Sequence, residues 1–370
     1  MKKVVAMAAV VVLATTVLHA QQAPAAGGIE VLHVRGNVYA LFGAGGNIVI
    51  SVGQDGVLMV DSGTVDKTDT VLAAIRQVQR LVDERNDVLA SLQPKWGAET
   101  RSTVIRDRDP DAPAKPVRYI INTSADPEHV GGNEKMSTSG RTFTGGNVAG
   151  DIRDAAQGAA ILAHENVTTR MTEPPAGQPA ASTRALPTDT YYVDTMKLSH
   201  FFNGEGVQLF NVPAGHTDGD SIVYFRGNDV IAAGDIFSND TYPIIDIARG
   251  GSINGVVDGL NHILDLTFAE FRSEGGTMVV PGHGRIGDSA DVAYYRDMVT
   301  MIRDRVQDMV KQGMTLDQVK AAKPTVDYDG RFGATTGRWT TNQFIEAVYR
   351  SLVPKATPAP AGGAPRGRTE

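Results

Sequence analysis

The stretch VRYIINTSADPEHVGGN, residues 117–133, decides the architecture. Its apolar opening, Val117 to Ile121, predicts a compact strand. A polar loop follows and carries Asp126, Glu128 and His129 toward Gly131 and Gly132, where the chain can turn into a helix. Carboxylates and an imidazole thus leave the end of one strand together.

Other segments repeat the arrangement. AGHTDGD (214–220) places His216 behind a predicted strand at Val207–Val212, and PGHG (281–284) places His283 behind one at Met278–Val280. AGDIF (233–237) puts Asp235 at the end of Val230–Ala233, and LMVDSG (58–63) puts Asp61 at the end of an early strand. Loops projecting from one sheet edge can gather such distant residues while the scaffold holds them still. A hydrolytic metal centre needs neutral imidazoles and carboxylates that leave a position for water or substrate. His129, His216, His283 and Asp235 supply those groups, and Glu128 and Asp126 add oxygen donors. Asp126 and Asp235 are the residues placed to orient a water or move a proton. A single histidine is more often a structural hydrogen-bonding group, but three in equivalent strand-end loops weigh against that reading.

The rest of the chain fits around these loops. Ile29 to Asp61 alternates apolar runs with GAGGN and GQDG, which predicts an antiparallel meander, and apolar spacing predicts a helix over Lys67–Leu81 after its third strand. A short helix is expected at Val88–Leu92, another at Ala155–His164, and an external loop at Thr172–Pro187. Strands are expected at Tyr191–Leu198 and Ile222–Phe225. Amphipathic helices fit Asn254–Phe268, Ala290–Val310 and Phe344–Leu352. Strand clusters before and after the middle, each followed by a helix, predict one domain over 29–352 built from two similar halves. Residues 21–28 and 353–370 have the composition of flexible ends.

Composition narrows the chemistry. The 370 residues include no cysteine, which excludes disulfides, thiol nucleophiles, iron–sulfur clusters and cysteine-bound zinc; any metal rests on the 8 histidines, carboxylates, hydroxyls or water. A formal net charge of −7 provides no broad cationic field for a nucleic-acid backbone, so a small-molecule substrate is the expected partner. Residues 1–20, MKKVVAMAAVVVLATTVLHA, have the order of a cleaved signal peptide. This predicts a secreted or periplasmic protein without a transmembrane domain after cleavage, an uncleaved anchor being the alternative.

Taken together, VDSG (60–63), NTSADPEHVGG (122–132), GHTDGD (215–220), GD (234–235) and PGHG (281–284) occur in the order of the metallo-β-lactamase superfamily, which the chain resembles from the Ile29 meander through PGHG. The resemblance implies an α+β fold, a four-layer αββα sandwich with helices outside two mixed β-sheets. It also implies one metal position from Ser124, Asp126 and His216 and a second from Glu128, His129 and His283, with Asp235 able to bridge. The chain departs from the family in the first loop, where histidine, any residue, histidine, any residue, aspartate and histidine are expected. Ser124 and Asp126 replace two imidazoles and Glu128 replaces the aspartate. The second position keeps more of its nitrogen ligands and is expected to be the better occupied.

Zinc, as one or two ions, is the expected metal, and the oxygen-rich set also admits iron or manganese. The implied activity is hydrolysis of a lactam, lactone or related ester, possible β-lactamase chemistry included. The alternative is a catalytically weak or inactive relative that binds ligands in the cleft. Redox and nuclease chemistry have less support in these residues. Asp61 is placed to hydrogen-bond a metal ligand or a neighbouring loop, and His164 to end a helix. In NDTYPIIDI (239–247), Tyr242 and the isoleucines either line the cleft or pack the loop, and the proline-rich loop before His216 is a further rim.

Overall fold

A computed structural model describes residues 28–91, 116–142, 158–174, 177, 179–268 and 275–353. The expected signal peptide and most of both flexible ends lie outside the described residues. No described helix is long and apolar enough to cross a membrane.

One sheet runs in chain order through β1 (Glu30–Arg35), β2 (Val38–Ala44), β3 (Gly46–Gly53), β4 (Gly56–Val60), β5 (Val117–Ile121), β6 (Ala160–His164) and β7 (Asp189–Tyr191). The first four strands are antiparallel and β4 to β7 are parallel, so the sheet is mixed. A five-stranded sheet has the order β12 (Met278–Val280), β11 (Val230–Ala232), β10 (Asp220–Phe225), β9 (Val207–Val212) and β8 (Thr195–Lys197). Alternate residues of one strand serve different layers. In β4, Leu58 and Val60 enter the core between the sheets, whereas Val57 and Met59 face α1 (Thr68–Ser91).

Helix α1 buries Val71, Ala74, Ile75, Val78 and Val82 at three- and four-residue steps against the first sheet. The short α2 (Pro127–Val130) and α3 (Asn133–Ser139) follow the signature loop, and α4 (Glu165–Thr172) follows β6. On the second sheet lie α5 (Ile253–Thr267), α6 (Ser289–Lys311), α7 (Leu316–Ala322), α8 (Asp329–Phe332) and α9 (Thr341–Leu352). Side chains stop these helices fraying: Ser252 caps α5, Asp288 caps α6, and Thr340 with Gln343 forms a capping box on α9. The result is the four-layer αββα sandwich.

Several expectations need correction. Ala160–His164 is a strand, not part of a helix, because it is inserted between β5 and β7 with all five residues buried. Its alanines favour a helix locally, but burial on both faces decides. The stretch Tyr191–Leu198 is divided: β7 closes the first sheet, and β8 begins the second. The early helix follows a fourth strand rather than a third and extends to Ser91. The polar α7 and the one-turn α8 lacked a strong apolar period.

Candidate metal centre

Parallel pairing aligns the carboxyl ends of β4 and β5, and of β11 and β12. The antiparallel order β9–β10–β11 brings the loop after β9 to that same edge. The edges of the two sheets are tied together: Ser221 N donates to Thr123 O at 2.8 Å, and Asn47 N donates to Gly282 O at 2.8 Å. Residues 61, 126–129, 216, 235 and 283 consequently meet.

Their polar atoms form two groups sharing Asp235. Glu128, His129, Asp235 and His283 make one, and Asp126, His216 and Asp235 the other; within each, one donor atom per residue lies within 4.8 Å of the rest. His129 Nε2 is 3.1 Å from Asp235 Oδ2, and His283 Nε2 is 3.2 Å from Glu128 Oε1. In the other group His216 Nε2 is 3.1 Å from Asp126 Oδ2 and 3.6 Å from Asp235 Oδ2. Asp235 Oδ1 is buried without a hydrogen-bond partner among the described residues. It faces His283 Nε2 at 3.6 Å, beyond hydrogen-bond reach; a buried carboxylate oxygen without a hydrogen bond is costly, and a bound cation would satisfy it. Mixed imidazole and carboxylate donors also suit a divalent ion, so these residues fit a metal.

The backbone makes room for this arrangement. A Cβ on Gly282 would lie 2.4 Å from Asp235 Oδ1, and Gly234 has φ +53°. Asp61 also adopts a left-handed φ, +64°, which directs its carboxylate into the centre. Asp61 accepts from Thr123 N at 2.8 Å and Thr123 Oγ1 at 2.7 Å, and its Oδ2 lies 2.8 Å from His129 Nδ1. It therefore orients His129 and leaves Nε2 facing Asp235. His216 is oriented similarly, with Nδ1 2.9 Å from Ile244 O.

The imidazoles and carboxylates neutralise one another. Burial opposes ionisation of Asp126, but the His216 hydrogen bond and charge, assisted by Arg249, bring its pKa to about 2. Burial opposes ionisation of Asp235 too, yet the His129, His216 and His283 imidazoles hold it well below the usual carboxylate range. Burial would lower His129 and His216; Asp235 and Asp61 instead raise His129 well above its ordinary value, and the facing carboxylates raise His216 to about 10.

All six expected metal-binding residues come together. Ser124, buried beside them, accepts from Asp126 N at 3.3 Å through its Oγ and shapes the loop. His164 accepts from Asn166 N at 3.3 Å and ends the strand structurally. Tyr242 is buried away from the cleft, stacked 4.6 Å from Phe344, while Ile244 and Ile245 do line the cavity. The proline-rich loop contributes Pro174 and Pro179 to an adjoining hollow of about 400 Å³.

Two arginines at the centre belong to none of the sequence motifs. Arg249 pairs with Asp126, and Arg338 pairs with Glu128. The only sequence clue to Arg249 is its place just after the cleft-lining 239–247 segment.

A sequence model of the metallo-β-lactamase superfamily matches residues 41–283. Solved structures of similar fold include a stereoselective inverting sec-alkylsulfatase from Pseudomonas sp., at 13% identity and TM-score 0.54, covering 86% of this chain and 49% of that one. A metallo-β-lactamase from Pontibacter korlensis aligns at 14% identity and TM-score 0.47, covering 74% of this chain and 99% of that one. This chain spans about half the length of the alkylsulfatase. A search of curated proteins finds no match.

Proposed function

The chain belongs to the metallo-β-lactamase superfamily, and from that premise we propose that it is a metal-dependent hydrolase of a lactam, lactone or related ester. The observation that carries this reading is the pair of donor groups meeting at Asp235, one of whose oxygens is buried without a hydrogen bond among the described residues. Zinc suits both groups, as one or two ions, and iron or manganese suits the carboxylate-rich one. When bound, such ions polarise a carbonyl and make water more acidic.

The chain's own residues supply position and charge. His129, His283 and Glu128 hold one side, His216 and Asp126 the other, and Asp235 reaches both. Asp126 is ionised throughout the neutral range and orients an attacking water by accepting its hydrogen bond. Asp61 and Ile244 O fix the ring orientations, so little rearrangement is needed for binding.

His283→Ala provides the main test because this half-buried side chain can be removed with little damage to the core. Metal affinity and turnover across a lactam, lactone and ester panel should fall together, by more than about 100-fold, beyond the loss expected for an outer partner. Loss of metal with unchanged turnover refutes the proposal. A second reading, a ligand-binding relative without turnover, is favoured by Ser124 and Asp126 standing where the family has imidazoles; it requires saturable binding and no hydrolysis at full metal loading.

We place the mature protein in the periplasm or outside the cell on the character of residues 1–20. N-terminal sequencing of exported protein checks this, with a start near Gln21 expected.

A further inference from the structure

A cavity of about 620 Å³ opens from Asp126 and His216 and is walled by Ile244, Ile245, Arg249, Arg338 and Trp339. Arg338 and Trp339 come from the connection between α8 and α9, outside the 41–283 segment matched to the superfamily. Arg338 pairs with Glu128 and has Nη2 3.7 Å from Asp126 Oδ2; more than half of its side chain is exposed. Arg249 pairs with Asp126 and has Nε 3.3 Å from Asp246 Oδ2. The indole Nε1 of Trp339 is buried without a hydrogen-bond partner among the described residues. Arg350, at the same cavity, is engaged 2.6 Å from Glu346.

A guanidinium carries five donors in a fixed fork that matches an oxyanion. Arg249 and Arg338 point theirs at Asp126 and Glu128, the two carboxylates that the proposed metal centre also uses. A carboxylate that shares its charge with a cation is a weaker acceptor for arginine. The two forks then need another acceptor, and the isoleucine and tryptophan wall needs an apolar surface.

We propose that Arg338 and Arg249 form an oxyanion clamp, so that this cavity takes amphipathic acids: a carboxylate or sulfate group on an apolar body. Calling such an acid a substrate rests on the hydrolase reading above; its recognition by the arginines does not. The α8–α9 connection would therefore set specificity on a centre built by the superfamily portion.

Calorimetric titration of metal-loaded protein with hexanoate, hexyl sulfate and neutral hexanamide tests this. Either anion should bind at least about tenfold more tightly than the amide, and Arg338→Gln and Arg249→Gln should each weaken anion binding by about tenfold or more without changing the amide. Preference for hexanoate or for hexyl sulfate identifies which oxyanion fits. Arg338→Lys should recover part of the loss, because it restores charge without the fork. Metal content is measured for every variant, so a loss of ions is not mistaken for a loss of the clamp. Equal anion affinity in wild type and both glutamine variants at equal metal content overturns the proposal, as does equal binding of anion and amide. Arginine-dependent anion binding without hydrolysis of any ester keeps the clamp and rejects the hydrolase reading.

Discussion

The two donor groups differ in composition although they share Asp235. One has two imidazoles and two carboxylates, whereas the other has one imidazole and two carboxylates. The richer group is also the better braced: His129 is wholly buried between Asp61 and Asp235. Asp126, in the poorer group, is drawn toward Arg249 as well as His216. An arginine draws on one carboxylate of each group, Arg249 on Asp126 and Arg338 on Glu128, so the difference beyond ligand number is the Asp61 carboxylate that braces His129.

The largest expected effect separates the groups by stability. His129→Ala removes the imidazole that bridges buried Asp61 and Asp235 and should cost about 3–5 kcal/mol in denaturant unfolding of the metal-free protein. His216→Ala leaves Asp126 paired with Arg249, so its loss should be smaller, and metal analysis should still find about one ion per chain, as for one of two sites. Equal destabilisation would remove the distinction.

Asp61→Asn addresses the brace directly. Asparagine tolerates the left-handed backbone at this position, so the change isolates the lost charge. Metal affinity of the His129 group should fall about 10–100-fold, with the His216 group little affected; a uniform fall across both sites would show that the groups are not independently supported.

The pH profile sharpens the poorer group. Asp126 has its pKa lowered to about 2, so its contribution to folding is complete above the unfolded value of about 3.9 and is lost as pH falls through 2. His216 is raised to about 10, so its contribution is complete below about 6.5 and is lost as pH rises through 10. Metal-free protein should thus gain most from this pair between about pH 4 and 6.5. Binding needs neutral imidazoles, so metal uptake near neutral pH should release protons, measurable from the heats in buffers of different ionisation enthalpy.

The smallest effect lies outside both groups. Tyr242 donates to Asp329 Oδ1 at 2.9 Å, and Tyr242→Phe should cost about 0.5–1.5 kcal/mol in unfolding while leaving KM unchanged. A changed KM would return Tyr242 to the cleft.

Much of this was legible locally. His216, Asp235 and His283 each stand directly behind an apolar run, so strand ends could be located without long-range information. Ala160–His164 was misleading because alanine-rich runs of five residues suit either a helix or a strand, and only the flanking strands reveal two-sided burial. Arg338 was invisible because it stands 210 residues from Glu128 on an otherwise ordinary polar loop.

The signature at 117–133 and its companion loops carried by themselves the resemblance to the superfamily and the strand-end positions of the six residues proposed as donors. Ionisable side chains at strand ends are a local pattern, and sequence records it. Asp235 between the two groups and a bracing Asp61 were already expectations of the sequence; tertiary structure alone decided that Asp61 takes His129 as its partner and that Arg249 and Arg338 face the same cavity. Those relations depend on which strand ends pack together across two sheets, a distance that no local periodicity encodes.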